Sequence, residues 1–205
     1  KIRFVATDGH RLSLITREVK SSEGFELKKG VIIPKKGVSE LKRMVEDSSG
    51  DIEIGIEENI CSAKSDDAFL KMRLIVGEFP DYKQVVPKQK GKKLMVSREG
   101  LHHTLKRMSL MASGKSKCVK FEISGNKIEF SSSNPELGEA TEHIVAEYEG
   151  ESKLEVGFNA KYFIDVLSNM STENVTIEIE NELSPGVLKI DKDADYLNVI
   201  MPMRT

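Results

Sequence analysis

The feature that most constrains this chain is a pattern that occurs three times, at intervals of about 60 residues. Each repeat opens with a short alternation of apolar and polar residues that runs into a helix-start signal, and these openings lie at Val31, Leu94 and Leu154. Apolar residues then recur every three or four positions, which predicts a helix, and afterwards every second position, which predicts strands. Each repeat is therefore predicted to be a β-α-β-β-β unit.

Each predicted helix carries one apolar stripe. The stripe residues are Val38, Leu41 and Val45 in the first repeat, Leu101, Leu105 and Met108 in the second, and Phe163, Leu167 and Met170 in the third. One such unit is too small to bury its own sheet, so we expect two units to pair with their sheets outside and their helices packed together inside. The expected fold class is α+β.

A polar stretch over Pro87–Lys93 is the natural linker between two domains. Residues 92–205 then hold the second and third repeats as one complete domain. Residues 1–88 hold the first repeat, preceded by a hairpin over Ile2–Thr16. Because the chain opens inside a strand-like stretch without an initiator Met, we expect a piece of a longer protein, whose first domain is truncated.

Composition narrows the function classes. The 31 Lys and Arg residues and 33 Asp and Glu residues give a formal charge of −2. This charge argues against a protein that binds nucleic acid tightly through an excess of positive charge. No apolar run approaches the roughly 18 residues that a membrane-spanning helix needs. Cys61 and Cys118 lie far apart, as expected for small buried side chains in a reducing compartment, and this favours the cytoplasm.

Known catalytic and metal-binding motifs are absent from the sequence. The nearest match to a phosphate-binding loop, Ser113–Ser116, lacks the first glycine and the preceding strand and is predicted to be a plain loop. His102 and His103 are adjacent, whereas helical zinc pairs are spaced i and i+4, so both are predicted to be solvated helix residues. We predict no cofactor and no metal.

Asp8 and His10 form the remaining catalytic candidate, an acid/base pair of a hydrolase-like enzyme. The favoured interpretation is a strand-ending turn, in which Gly9 supplies a positive φ and the Asp8 carboxylate accepts hydrogen bonds from backbone amides. An enzyme would need a third convergent group, and the sequence offers none. A third alternative is an adaptor that never contacts DNA.

Five segments carry a resemblance to a known family. They are Phe4–Leu12, Pro34–Gly37, Glu78–Tyr82, Gly157–Tyr162 and Met201–Arg204. In order and spacing they resemble the bacterial DNA polymerase III β subunit, the sliding clamp, and the likeness runs along the whole chain. The resemblance implies the DNA-clamp fold and identifies residues 1–88 as the last part of the middle domain and residues 92–205 as the C-terminal domain.

The resemblance also implies a function. Members of this family are non-catalytic processivity factors of DNA replication, homodimeric head-to-tail rings that encircle duplex DNA without reading its sequence. They tether DNA polymerase, the clamp loader and repair proteins, which bind through short peptide motifs. Because the family's ring interface joins the C-terminal domain to the N-terminal domain of the neighbouring protomer, ring closure is not expected for this chain alone.

Three sets of site residues follow from this likeness. The implied peptide groove comprises Thr7, Gly9, His10, Arg11, Leu12, Pro80, Val85, Val199, Met201, Pro202, Met203 and Arg204. Basic residues on the predicted helices, which would face DNA, are Lys35, Lys36, Lys106 and Arg107. Leu110 and Met111 match a segment of the dimer face, although apolar residues at a helix end fit a core position equally well.

Overall fold

The computed structural model describes residues 1–20, 27, 29–89, 91–112, 117–191 and 193–204. The chain divides into two compact units, a large unit of residues 1–20 and 82–205 and a small unit of residues 21–81. This division differs from the predicted domain boundaries because the first hairpin belongs to the large unit. Among the described residues, no helix is long and apolar enough to cross a membrane.

The described residues form three α-helices and thirteen strands. The helices are α1 (Lys35–Asp47), α2 (Arg98–Met111) and α3 (Ala160–Leu167). The strands are β1 (Ile2–Thr7), β2 (Arg11–Arg17), β3 (Glu53–Glu57), β4 (Ile60–Lys64), β5 (Phe69–Arg73), β6 (Lys92–Ser97), β7 (Cys118–Ser124), β8 (Lys127–Asn134), β9 (Gly138–Tyr148), β10 (Leu154–Asn159), β11 (Asn174–Ile179), β12 (Gly186–Ile190) and β13 (Asp193–Ile200). The second and third repeats therefore have the predicted β-α-β-β-β order.

One ten-stranded antiparallel sheet forms the large unit, in the order β1-β2-β13-β12-β11-β6-β9-β8-β7-β10. The β1–β2 hairpin joins the sheet through β13, with Leu12 opposite Val199 and Arg11 opposite Ile200. Residues from the two ends of the chain therefore lie side by side in neighbouring strands.

Helices α2 and α3 pack against each other and share one core with the sheet. The predicted stripes of both helices are buried, including Leu101, Leu105 and Phe163 at 0% exposure. Phe121 lies at the centre of this core, with its ring 4.8 Å from that of Phe130 and in an edge-on orientation. The predicted α+β class, with the sheet outside and the helices inside, is confirmed in this unit.

Local capping explains where α2 and α3 begin. The Ser97 hydroxyl accepts a hydrogen bond from the Gly100 amide at 3.2 Å, and the Asn159 side-chain oxygen accepts one from the Lys161 amide at 3.1 Å. These bonds satisfy amides that have no partner inside the helix. Each opening strand therefore passes directly into its helix.

The small unit contains α1 and the sheet β3-β4-β5. Gly37 and Met44 are buried, and Gly37 lies so close to β5 that an added Cβ would be 2.5 Å from the Met72 sulfur. Of the predicted stripe of α1, Leu41 packs against the core of this unit, whereas Val38 and Val45 are 50% and 59% exposed.

The opening strand of the first repeat is also less regular than predicted. Ile32 forms only an isolated bridge with Ile75, and Pro34 at the start of α1 makes no side-chain capping bond.

Both cysteines are free, with Cys61 buried and Cys118 half-buried. Burial raises the pKa of both thiols, as expected for structural rather than reactive cysteines.

Candidate functional site

The turn between β1 and β2 is built by its own side chains. The Asp8 carboxylate accepts hydrogen bonds from the amides of His10 and Arg11, each at 3.1 Å. Gly9 has φ +86°, and the Thr7 hydroxyl donates to the Arg11 carbonyl at 2.8 Å. Burial alone would raise the pKa of Asp8, but the bonds from His10 and Arg11 outweigh it and lower that pKa. The predicted strand-ending turn is confirmed.

Arg11 ties this turn to α3. Its guanidinium Nε lies 3.0 Å from the Asp8 carboxylate, and its Nη1 lies 2.7 Å from Asp165 Oδ2. The same guanidinium lies 4.6 Å from the ring centroid of Tyr162, and the His10 ring stacks beside that tyrosine at 6.4 Å. Asp8 is thus held in ion pairing and backbone bonds, which does not support its use as a catalytic acid or base.

Asp165 and Tyr162 were not among the predicted site residues, although Tyr162 ends one of the segments that carry the family resemblance. Their i, i+3 spacing on α3 places both on one helix face, which is the signal that could have found them. That face becomes a site only because β2 joins the sheet through β13, a long-range pairing that no local pattern predicts.

The C-terminal segment completes a continuous surface with the turn. The Met201 amide donates to the His10 carbonyl at 2.9 Å, and the Met203 amide donates to the Gly157 carbonyl on β10 at 2.8 Å. Met201, Pro202 and Met203 are half-buried, while Arg204 is exposed. The structure therefore brings the two predicted walls of the groove together, and Thr205 lies outside the described residues.

The remaining groove candidates are placed differently. Leu12 and Val199, opposite each other in the sheet, are 1% and 0% exposed, so they support the surface from beneath rather than line it. Val85 is half-buried, next to a short 3-10 helix over Tyr82–Gln84. Pro80 is exposed and belongs to the small unit.

Two concavities lie over β11 and β12. The smaller, about 70 Å³, is lined by Val86 and Pro87 on one side and by β12 and β13 on the other. The larger, about 530 Å³, lies over β6, β9, β11 and β12. Both include the ion pair of Lys189 with the buried Glu178, at 2.6 Å, and neither is lined by a predicted groove residue.

Of the predicted basic residues, Lys35, Lys36 and Lys106 are exposed on their helices. Arg107 is engaged, because it donates to both carboxylate oxygens of Glu142 at 2.6 and 2.8 Å. The hydrogen bond from Arg107 lowers the pKa of Glu142 and the same bond raises the pKa of Arg107. The charge of Arg107 is thus compensated within the chain.

Leu110 is 71% exposed at the end of α2, so it is not a core residue. Met111 beside it is half-buried, and its carbonyl accepts a hydrogen bond from the Asn134 side-chain amide at 3.2 Å. The predicted dimer-face segment therefore presents one large apolar side chain to solvent.

Of the two histidines on α2, His103 is exposed and His102 makes an ordinary side-chain contact. His102 Nε2 lies 3.0 Å from the Ser168 hydroxyl, which itself donates to the Ile164 carbonyl at 2.7 Å. The Ser168 hydroxyl is thus bonded to its own helix, an arrangement that gives no support for a serine nucleophile activated by His102. Within the described ranges, no group of three His, Cys, Asp or Glu side chains could hold a metal ion. The Ser113–Ser116 loop lies outside those ranges.

Comparisons with known proteins identify the family. The family model for the C-terminal domain of the DNA polymerase III beta subunit matches residues 83–204, and the model for the central domain matches residues 1–81. The beta sliding clamp of Pseudomonas putida is 34% identical over 203 residues, which are 99% of this chain and 54% of that protein. The beta sliding clamp of Escherichia coli K12 is 32% identical, over 100% of this chain and 55% of that protein.

Solved structures agree with the sequence comparisons. A sliding clamp from Bartonella birtlesii, bound to griselimycin, superposes with a TM-score of 0.91 at 30% identity, covering 99% of this chain and 54% of that one. The beta subunit of Thermotoga maritima DNA polymerase III gives a TM-score of 0.88 at 31% identity, with 99% and 54% coverage. The chain spans about half the length of the curated relatives it matches. Family models that together match nearly every residue, on a fold shared with solved clamps, show that this chain belongs to the DNA polymerase III beta subunit family.

Proposed function

We propose that the chain is part of a sliding clamp, a non-catalytic processivity factor of DNA replication that encircles duplex DNA in the bacterial cytoplasm. It tethers DNA polymerase, the clamp loader and repair proteins, which dock through short peptide motifs. In this proposal residues 1–88 are the C-terminal part of the middle clamp domain and residues 92–205 are the C-terminal clamp domain. Family membership supports the assignment, as does the match of residues 1–81 to the central-domain model and of residues 83–204 to the C-terminal-domain model.

The junction between the β1–β2 turn and the C-terminal segment is the observation that carries the proposal. Its hydrogen bond from Met201 to His10 holds a strip of half-buried Met, Pro and Met side chains beside the cationic Arg11. Methionine side chains are flexible and polarisable, so such a strip accommodates peptides of related but different sequence. A protein that serves several partners through one groove needs this property.

Titration of a labelled, partly apolar peptide of the polymerase clamp-binding type against the chain tests the proposal. We expect a dissociation constant near the micromolar level, about −8 kcal/mol. Such a modest affinity suffices because a clamp on DNA keeps its bound polymerase at high effective concentration near the template. A scrambled peptide of equal composition is the control. Equal binding of both peptides would overturn the proposed groove.

Contact with DNA is proposed for Lys35, Lys36 and Lys106, which are exposed, and less for Arg107, whose charge Glu142 compensates. Sliding requires phosphate attraction without base readout, so binding should be weak and should fall steeply with salt. Replacing Lys35 and Lys36 with Ala should reduce duplex binding by a similar factor for every sequence. Replacement of two exposed strand lysines of the same unit, Lys64 and Lys71, is the matched control.

For the longer clamp we propose a homodimeric ring in which Leu110 and Met111 belong to the interface between protomers. The exposure of Leu110 supports this assignment. A head-to-tail interface needs two different surfaces, one from each end of the protomer. The chain by itself is therefore proposed not to close a ring through this segment.

A further inference from the structure

Helix α2 carries two neighbouring histidines on a stretch without carboxylates. Residues 100–111 contain no Asp or Glu, and the exposed side chains of this stretch include His103 and Lys106. The rings of His102 and His103 lie 5.8 Å apart. His102 is half-buried beside the end of α3, with its Nε2 3.0 Å from the Ser168 hydroxyl. We call His102, His103 and Lys106 the α2 cluster.

Helical spacing places the three side chains of the α2 cluster together. Lys106 follows His102 by four positions and His103 by three, the two spacings at which side chains on a helix are neighbours. The contact with Ser168 uses Nε2 of His102, and in the described part of the chain the ring makes no other hydrogen bond. The second ring nitrogen of His102 is therefore not committed to the fold.

The charged groups that act on His102 from its own helix are mostly cationic. Burial lowers the pKa of its imidazole below the ordinary value of 6.5, and Lys106, His103 and Arg98 lower that pKa further. Glu99 acts in the opposite direction but more weakly. Near pH 7 the His102 ring is therefore mostly neutral, and its cationic neighbours oppose its protonation.

The elements packed against α2 leave this positive charge uncompensated. On α3 the charged side chains are Lys161, which is exposed, and Asp165, which pairs with Arg11 at 2.7 Å. On the packed strands β6, β8, β9 and β11, strand alternation places one acid, Glu142, on the helix side of the sheet, and it pairs with Arg107 at 2.6 Å. The α2 cluster is therefore a cationic patch whose positive charge increases on protonation.

We propose that the α2 cluster binds a backbone phosphate of duplex DNA, and that protonation of His102 strengthens this contact. The inference rests on the proposed clamp function, in which Lys106 of the same cluster faces DNA. A phosphate beside His102 offsets the repulsion from the cationic neighbours and favours the protonated ring. Binding of DNA and binding of the proton are therefore linked, so the affinity for DNA rises as the pH falls and declines as the pH rises.

Anisotropy of a labelled duplex, titrated with the full chain at about pH 8 and about pH 6, tests the proposal. We expect roughly three- to tenfold tighter binding at the lower pH, since one pKa unit corresponds to a factor of ten. Protonated His102 displaces one more counterion, so the slope of log affinity against log salt should be steeper by about 0.9 at the lower pH.

Two histidine variants identify the group responsible. His102→Gln should lose most of the pH dependence and show nearly the same salt slope at both pH values. His143→Gln is the matched control and should keep the full pH dependence. His143 is exposed on β9, and the adjacent Ile144 packs on the core, so the histidine lies on the opposite face of the sheet from α2.

NMR titration of the ring protons follows the site directly, because the chain has only four histidines. Duplex DNA should raise the pKa of His102 and should not move the resonances of His143. Duplex binding without pH dependence, or His102→Gln with unchanged pH dependence, would overturn this inference and leave the clamp function intact. Absence of duplex binding at both pH values would overturn the proposed DNA contact as well. An equal response of His102 to the same concentration of inorganic phosphate would overturn the assignment to DNA.

Discussion

Removal of the residues beyond Ile200 should destabilise the large unit, whereas Met203→Ala should leave its fold intact. The C-terminal segment is held by two backbone hydrogen bonds, from the Met201 amide at 2.9 Å and from the Met203 amide at 2.8 Å. Each contributes a net stability of about 0.5–1.5 kcal/mol, so truncation should cost about 1–3 kcal/mol. For a chain of this size the corresponding fall in melting temperature is roughly 2–12 °C. Met203→Ala keeps both bonds and loses only a half-buried side chain.

Peptide binding should respond differently from stability. Both variants remove the Met203 side chain from the proposed groove, and loss of a buried apolar anchor costs about 1–3 kcal/mol of binding free energy, or roughly 5- to 150-fold in affinity. Thermal unfolding followed by circular dichroism gives the stability, and anisotropy of a labelled peptide gives the affinity. Met95→Ala, which truncates a half-buried methionine on β6, is the matched control and should bind the peptide normally.

The two readouts test separate statements. An unchanged melting temperature after truncation would refute the assignment of stability to the two backbone bonds. An unchanged peptide affinity in Met203→Ala would refute the placement of Met203 in the groove, whatever the truncated chain does.

Three further changes have expected outcomes. Asp165→Asn should lower the free energy of unfolding by roughly 0.5–1 kcal/mol in urea denaturation, because it removes a partly exposed ion pair with Arg11; an unchanged midpoint would show that the pair contributes nothing. Gly91→Ala should cost about 1–3 kcal/mol, since the new Cβ would lie 2.5 Å from the Ile179 backbone carbon; wild-type stability would contradict that close packing. Hydrogen bonds from two lysines lower the pKa of Glu155 from 4.5 to about 2, so its stabilisation is present above pH 4.5 and is lost as the pH falls toward 2. Glu155→Gln cannot titrate, so its stability should fall less than that of the unsubstituted chain over that pH range. An equal fall in both proteins would show that ionised Glu155 does not stabilise the fold.

Several features were determined by the sequence alone because short-range physics sets them. The switch of apolar spacing from helical to alternating predicted the β-α-β-β-β order of the second and third repeats, since side chains of one face must meet one core. The turn at Asp8 and Gly9 was likewise predictable, because a carboxylate that bonds nearby amides and a glycine at positive φ act within a few residues. The motifs that carry the family resemblance are also local segments.

Other features were decided only by the tertiary structure. The exposure of Val38 and Val45 is one of them, because helical spacing shows that the two residues share a face of α1 but not whether anything packs against that face. Arg107 looked like a free cation until the fold brought Glu142 within 2.6 Å. The candidate groove is the extreme case, because the β2–β13 register joins the two ends of the chain. Such pairings depend on packing over the whole sheet. A short stretch of sequence does not contain the residues whose contacts select them, so it cannot predict them.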